Sequence, residues 1–117
     1  MREGSGAPPT PLGFPMPSIA DLEKLLAQEP NDPFVLYGLA NEYAKARETD
    51  KAVIFYDRCV AADPAYSYAY YHKARALEAA GRKAEALASI TAGIAAATKA
   101  GDQHAVSELQ SLRDEIE

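Results

Sequence analysis

The sequence is poor in the residues that usually announce chemistry. It has one cysteine, Cys59, among 117 residues. A lone thiol forms no internal disulfide and supports no multi-cysteine metal site, which fits a reducing compartment. Tryptophan is absent. No apolar run approaches the length needed to cross a membrane, and the N-terminus has no apolar core of a secretory leader. There is no basic run either. The formal net charge is −5, and an acidic chain gains nothing from releasing phosphate counterions, so nucleic acid is excluded as the expected partner. A soluble, cytoplasmic protein away from membranes is the expectation.

Catalytic signatures are missing as well. The chain has no G-x-S-x-G elbow, no phosphate-cradling glycine loop and no H-E-x-x-H pair. His72, Arg75 and Glu78 share one helical segment and read as a polar face rather than an acid–base cluster. Cys59 falls where a small residue is needed between helices, so it reads as an inert packed thiol. Glu78 with Glu85, and Asp114 with Glu115, read as surface charge. No enzyme, cofactor or metal is expected.

What is present is helical periodicity. Residues 1–17 hold five of the eight prolines and three of the seven glycines, and read as a disordered tail. Its P-P-T-P run, Pro8 to Pro11, weakly resembles a polyproline ligand. Ser18 followed by Asp21 predicts a capping box, and Ile19, Leu22, Leu25 and Leu26 predict an apolar stripe over 18–30. Asp32 caps the next helix with Pro33 at its first position. Leu36, Leu39, Ala40 and Tyr43 then fall at i, i+3, i+4 and i+7. After a break at 47–50, where Thr49 or Asp50 is the expected cap, Ala52, Val53, Tyr56, Cys59 and Val60 continue the pattern to Pro64.

Pro64 lies 34 residues after Pro30, and at that period the chain superposes on itself. Leu36 meets Tyr70, Ala40 meets Ala74, Tyr43 meets Leu77, Ala52 meets Ala86, Tyr56 meets Ile90 and Cys59 meets Gly93. Two helices per 34 residues, with small residues at the crossings, predict a helical repeat. In the second unit Tyr70 belongs with Ala74 and Leu77 in the core. Thr98 stands where the terminating proline is expected, so the helix before it runs on to about Ala100. Gly101 stops it and Asp102 caps a last helix over roughly 103–116, with Ala105, Leu109, Leu112 and Ile116 on one side.

This pattern resembles the tetratricopeptide repeat family. Residues 33–66 match its order of bulky, small and aromatic positions through Leu36, Leu39, Ala40, Tyr43, Ala52, Tyr56, Cys59 and Pro64. Residues 67–100 match more weakly, with Lys73 in place of a leucine. Arg47 replaces the usual turn glycine of the first unit. The resemblance implies an all-α fold, a short right-handed α-solenoid of antiparallel helix pairs. Its parts are a half-repeat over 18–30, repeats over 33–66 and 67–100, and a capping helix over 102–117.

By the same resemblance the first helix of each repeat lines a concave groove for a peptide or helix of another protein. That assigns Phe34, Tyr37, Asn41, Ala44 and Lys45 from the first repeat, and Tyr68, Tyr71, Arg75, Glu78 and Ala79 from the second. Tyrosine suits such a surface because it offers a flat apolar body with a polar tip. Members that clamp acidic C-terminal tails use Lys and Asn where Tyr37 and His72 stand here, so no such clamp is expected. The alternative function is homo-oligomerisation through the terminal helices, with the Leu109–Ile116 stripe serving a second protomer.

Overall fold

In the computed structural model, residues 17–117 are described. The proline- and glycine-rich run 1–16, with its P-P-T-P segment, lies outside them. Six helices follow in order: α1 (Ile19–Gln28), α2 (Pro33–Lys45), α3 (Thr49–Ala62), α4 (Ser67–Ala79), α5 (Lys83–Ala100) and α6 (Gln103–Ile116). The described residues contain no strand.

Three of the six helix starts are capped by local side chains. Ser18 and Asp21 form the reciprocal capping box, with the Asp21 N–H donating to Ser18 Oγ at 3.1 Å and the Ser18 N–H to Asp21 Oδ2 at 3.2 Å. Asp32 accepts from the N–H groups of Phe34 and Val35, ahead of Pro33 at the first turn. Asp102 accepts from the Ala105 N–H at 3.0 Å and opens α6. The start of α3 departs from expectation. Thr49 and Asp50 lie inside the helix, and its cap, Glu48, makes no side-chain capping bond. The Asp50 carboxylate instead accepts from Arg82 at 2.7 Å, while Arg82 also forks onto Glu85 at 2.8 Å. One guanidinium thus ties the start of α3 to the start of α5, the equivalent helix of the next pair.

Three helix ends share one turn. The N–H groups of Glu48, Arg82 and Asp102 return to the carbonyls of Tyr43, Leu77 and Ala97, each five residues back, at 2.9, 2.8 and 2.9 Å. The residue before each donor has a positive φ: 63° at Arg47, 78° at Gly81 and 75° at Gly101. This is the left-handed closure that glycine adopts without strain. Arg47 and Gly81 stand one 34-residue period apart.

Consecutive helices pack antiparallel, and α2, α4 and α6 also touch in series. The result is a short solenoid, 51 × 29 × 27 Å. Its core has two main parts. Leu36, Leu39, Ala40, Ala52, Tyr56 and Cys59 fill the first, with Leu22 from α1. Ala74, Leu77, Ala86 and Ile90 meet Leu109, Leu112 and Ile116 of α6 in the second. The α6 stripe is therefore consumed within its own chain and is not on offer to a second protomer. Gly93 sits at the tightest crossing, where an added Cβ would lie 2.7 Å from Tyr70 Cβ and 3.0 Å from Leu109 Cδ1.

Two expected core positions shift outward. Leu25 is 47% exposed, because α1 has a neighbour on one side only. Tyr70 is half-buried; its ring packs against the second core while its hydroxyl donates to the Pro64 carbonyl at 3.1 Å. Lys73, in place of leucine, reaches Asp57 on α3 at 2.6 Å, so its stem packs and its charge is paired.

Candidate peptide-binding groove

Helix periodicity aligns one face of α2. Phe34, Tyr37, Gly38, Asn41, Ala44 and Lys45 recur at three- and four-residue steps. Across from them α4 presents His72, Arg75 and Ala76, and α1 contributes Leu22, with Pro17 at its entrance. Together these line a cavity of about 820 Å³, open along one side. Gly38 gives it depth, since no side chain stands between the groove and the Leu22 methyl groups.

The groove is an apolar trough with a polar margin. Phe34 is 70% exposed, a large apolar side chain presented at the surface of the described residues. Lys45 pairs with Glu42 at 2.9 Å and remains well exposed, and Arg75 lies 3.7 Å from Glu115 of α6. Asn41 spends part of its polar capacity inside the protein, because its Oδ1 accepts the Tyr56 hydroxyl; its amide N–H groups remain for a ligand. Tyr37 is half-buried and stacks by its edges, 5.2 Å from the Tyr66 ring and 5.8 Å from His72.

Of the expected groove residues, Phe34, Tyr37, Asn41, Ala44, Lys45 and Arg75 line this one cavity. Tyr68 and Tyr71 do not. They border a separate depression of about 70 Å³ against α6, with Asp102, His104 and Glu108. Glu78 is exposed on α4 and lines neither depression, and Ala79 is exposed beside it. His72 is the ridge between the two, edge-on to Tyr37 on one side and to Tyr71, 5.3 Å away, on the other. Burial first, and then the nearby Arg75, lower its pKa.

The nucleophile-bearing groups are kept neutral. Burial, with a smaller push from Asp63, raises the Cys59 thiol to about 11, leaving on the order of 10⁻⁴ thiolate at neutral pH. Burial also raises Tyr66 to about 12, and raises Tyr56 further. Among the described residues, no group of three His, Cys, Asp or Glu side chains is arranged to hold a metal ion. What this surface can do is accept a side chain and hydrogen-bond a backbone.

Comparison with known proteins places this geometry. The sequence profile of the tetratricopeptide repeat matches residues 55–88, a stretch from the second half of α3 through α4 to the start of α5. The TPR repeat-containing protein PA0015 of Pseudomonas aeruginosa is 34% identical over 91 residues, covering 78% of this chain and 87% of that protein. The chain belongs to the tetratricopeptide repeat family. A tetratricopeptide repeat domain protein from Salinibacter ruber, solved by NMR, is 34% identical with a TM-score of 0.67, over 75% of this chain and 89% of that one. The TPR2B domain of yeast Sti1, solved as a complex with pHsp70, superposes with a TM-score of 0.75 at 20% identity, over 84% of this chain and 78% of that one. At that identity it speaks for the fold alone. Tetratricopeptide repeat proteins are in general non-enzymatic protein-interaction scaffolds. Among the described residues, no helix is long and apolar enough to cross a membrane.

Proposed function

We propose that this tetratricopeptide repeat protein holds an extended peptide or a single helix of another protein in the cavity between α1, α2 and α4. The observation that carries the reading is the cavity itself. An exposed Phe34 stands over a glycine-deepened floor on the concave side, with the Asn41 amide, Lys45 and Arg75 along its margin. Apolar anchors in a trough flanked by a few donors are what peptide recognition requires. The Sti1 domain, which shares this fold, was solved in complex with pHsp70, so the fold is compatible with a protein ligand. The ligand here differs from an acidic-tail clamp, because Tyr37 and His72 occupy the positions such clamps give to Lys and Asn. Nucleic acid and membranes are poor candidates for an acidic module, and the lone buried thiol suits the cytoplasm.

The test compares two double variants in panning of a random peptide library. Phe34→Ala with Lys45→Ala should lose the peptides that the wild type selects, with little change in melting temperature, since both side chains are largely exposed. Tyr68→Ala with Tyr71→Ala, outside the cavity, should retain them. Loss with the second pair and retention with the first would move the site to the α4–α6 depression and overturn the proposal.

A further inference from the structure

The cavity has a candidate occupant within the same chain. Pro17 is one of its lining residues, so the preceding segment leaves the fold at the mouth of the groove. That segment, Leu12-Gly13-Phe14-Pro15-Met16, places three large apolar side chains at every second position. In an extended chain, which proline enforces on the residue before it, side chains two apart share a face. If extended, Leu12, Phe14 and Met16 would form one apolar edge, alternating with two residues that give it no competing bulk. Five extended residues span at most about 17 Å, enough to run from Pro17 across the face on which Phe34 and Tyr37 are displayed.

The chemistry also matches. From Gly4 to Pro17 the chain carries no charge, and the groove centre, between Leu22, Phe34, Tyr37 and Gly38, is apolar. Contact between them needs no counter-charge, whereas an external ligand could add Lys45 and Arg75. A short tether supplies an effective concentration on the order of millimolar, so even a weak intrinsic affinity keeps the groove partly filled. We propose that Leu12, Phe14 and Met16 dock in the α1/α2/α4 cavity and act as a built-in competitor for its external ligand. This rests on the cavity being the binding site. By competition, an external peptide would bind more weakly by the reciprocal of the open fraction.

The experiment uses the full chain. Wild type and a Leu12→Ser, Phe14→Ser, Met16→Ser triple variant are compared by amide NMR. Docking predicts shift changes at Tyr37, Gly38, Asn41, Lys45 and His72, far in sequence from the substitutions, that persist on dilution and in high salt. Changes confined to residues 10–21 overturn the proposal and leave the groove to another protein. Groove shifts that vanish on dilution also overturn it, since they would come from the tail of a second copy. The failure of the docking idea is separable from failure of the groove reading. Peptides selected in the library test should bind the triple variant more tightly than the wild type, by the reciprocal of the open fraction. Unchanged binding, with Phe34→Ala still abolishing it, removes the tail and spares the groove. Insensitivity to Phe34→Ala removes the groove itself.

Discussion

At the scale of single residues, the 34-residue period exposes one strained position. Arg47 and Gly81 close equivalent turns with φ near 63° and 78°, but only glycine does so without a Cβ clash. The left-handed region costs a non-glycine residue roughly 1–2 kcal/mol, partly offset by the larger entropy glycine loses on folding. Arg47→Gly should therefore raise stability by about 0.5–1 kcal/mol, a gain of a few degrees in melting temperature. Gly81→Ala should lower it by a similar amount, although nothing lies within 4 Å of the added carbon. Thermal melts of the two variants check both signs; a destabilised Arg47→Gly would mean that the arginine side chain matters more than its backbone.

His72 supplies a pH dependence at the same scale. Its imidazole, half-buried among Tyr37, Tyr68 and Tyr71, has a pKa lowered by burial and then by Arg75. In the unfolded chain it returns to its ordinary value. Between the two values the unfolded state binds more protons, so stability rises with pH through that window and falls on acidification. Denaturant melts between pH 7 and pH 5 should show this loss, and His72→Gln should flatten it. An unchanged slope in that variant would assign the acid sensitivity to the carboxylates.

At the scale of elements, the two glycines inside helices should respond in opposite directions. Gly38 lies on α2 with the Leu22 methyl carbons 3.4 and 3.5 Å from a built Cβ, ordinary contact distance. Gly38→Ala should gain about 0.5–1 kcal/mol from helix propensity. Gly93 lies at the α4–α5–α6 crossing, with Tyr70 Cβ at 2.7 Å. Gly93→Ala needs the helices to separate and should lose about 1–3 kcal/mol despite the same propensity gain. Chemical denaturation of both variants provides the measurement, and equal signs would contradict the crossing geometry.

The helices themselves were largely legible in the sequence, because several of their boundaries are written locally. Ser18, Asp32 and Asp102 cap as expected, Gly101 stops α5 at Ala100, and Thr98 lets it run that far. The start of α3 was not, because Asp50 is taken by Arg82, a partner 32 residues away that local spacing cannot reveal. The site was legible only in part for a related reason. A repeat equates Phe34 with Tyr68 and Tyr37 with Tyr71, but a short array breaks that equivalence. Helix α2 lies between α1 and α4, whereas α4 lies between α2 and α6. Residues in the same register therefore face different neighbours and fall into two depressions. Leu22 reads as part of an apolar stripe, and nothing in the periodicity singles out Gly38 or Ala76; only the packing of the helices makes them groove walls.

At the scale of the whole molecule, each helix of a solenoid is held by its neighbours, so the end helices decide whether the array closes. Helix α6 buries Ala105, Val106, Leu109, Leu112 and Ile116, and these cover Ala97, Ile90 and Leu77 of α5 and α4. At roughly 1.5–3 kcal/mol for each large apolar side chain fully buried, an upper bound, removing α6 forfeits an amount comparable with the whole stability of a small domain, about 5–15 kcal/mol. The exposed Ile90–Gly93 face of α5 would also be a large apolar patch free to pair with another copy. A chain ended at Ala100 should therefore lose its sigmoidal thermal transition, or regain helix only as it associates, with light scattering giving a mass above the monomer. The 117-residue chain, whose α6 stripe is already covered, should scatter as a monomer at the same concentration. A truncated chain that melts cooperatively as a monomer, within a few degrees of the full one, would show that α1–α5 close their own core and that α6 is dispensable for folding.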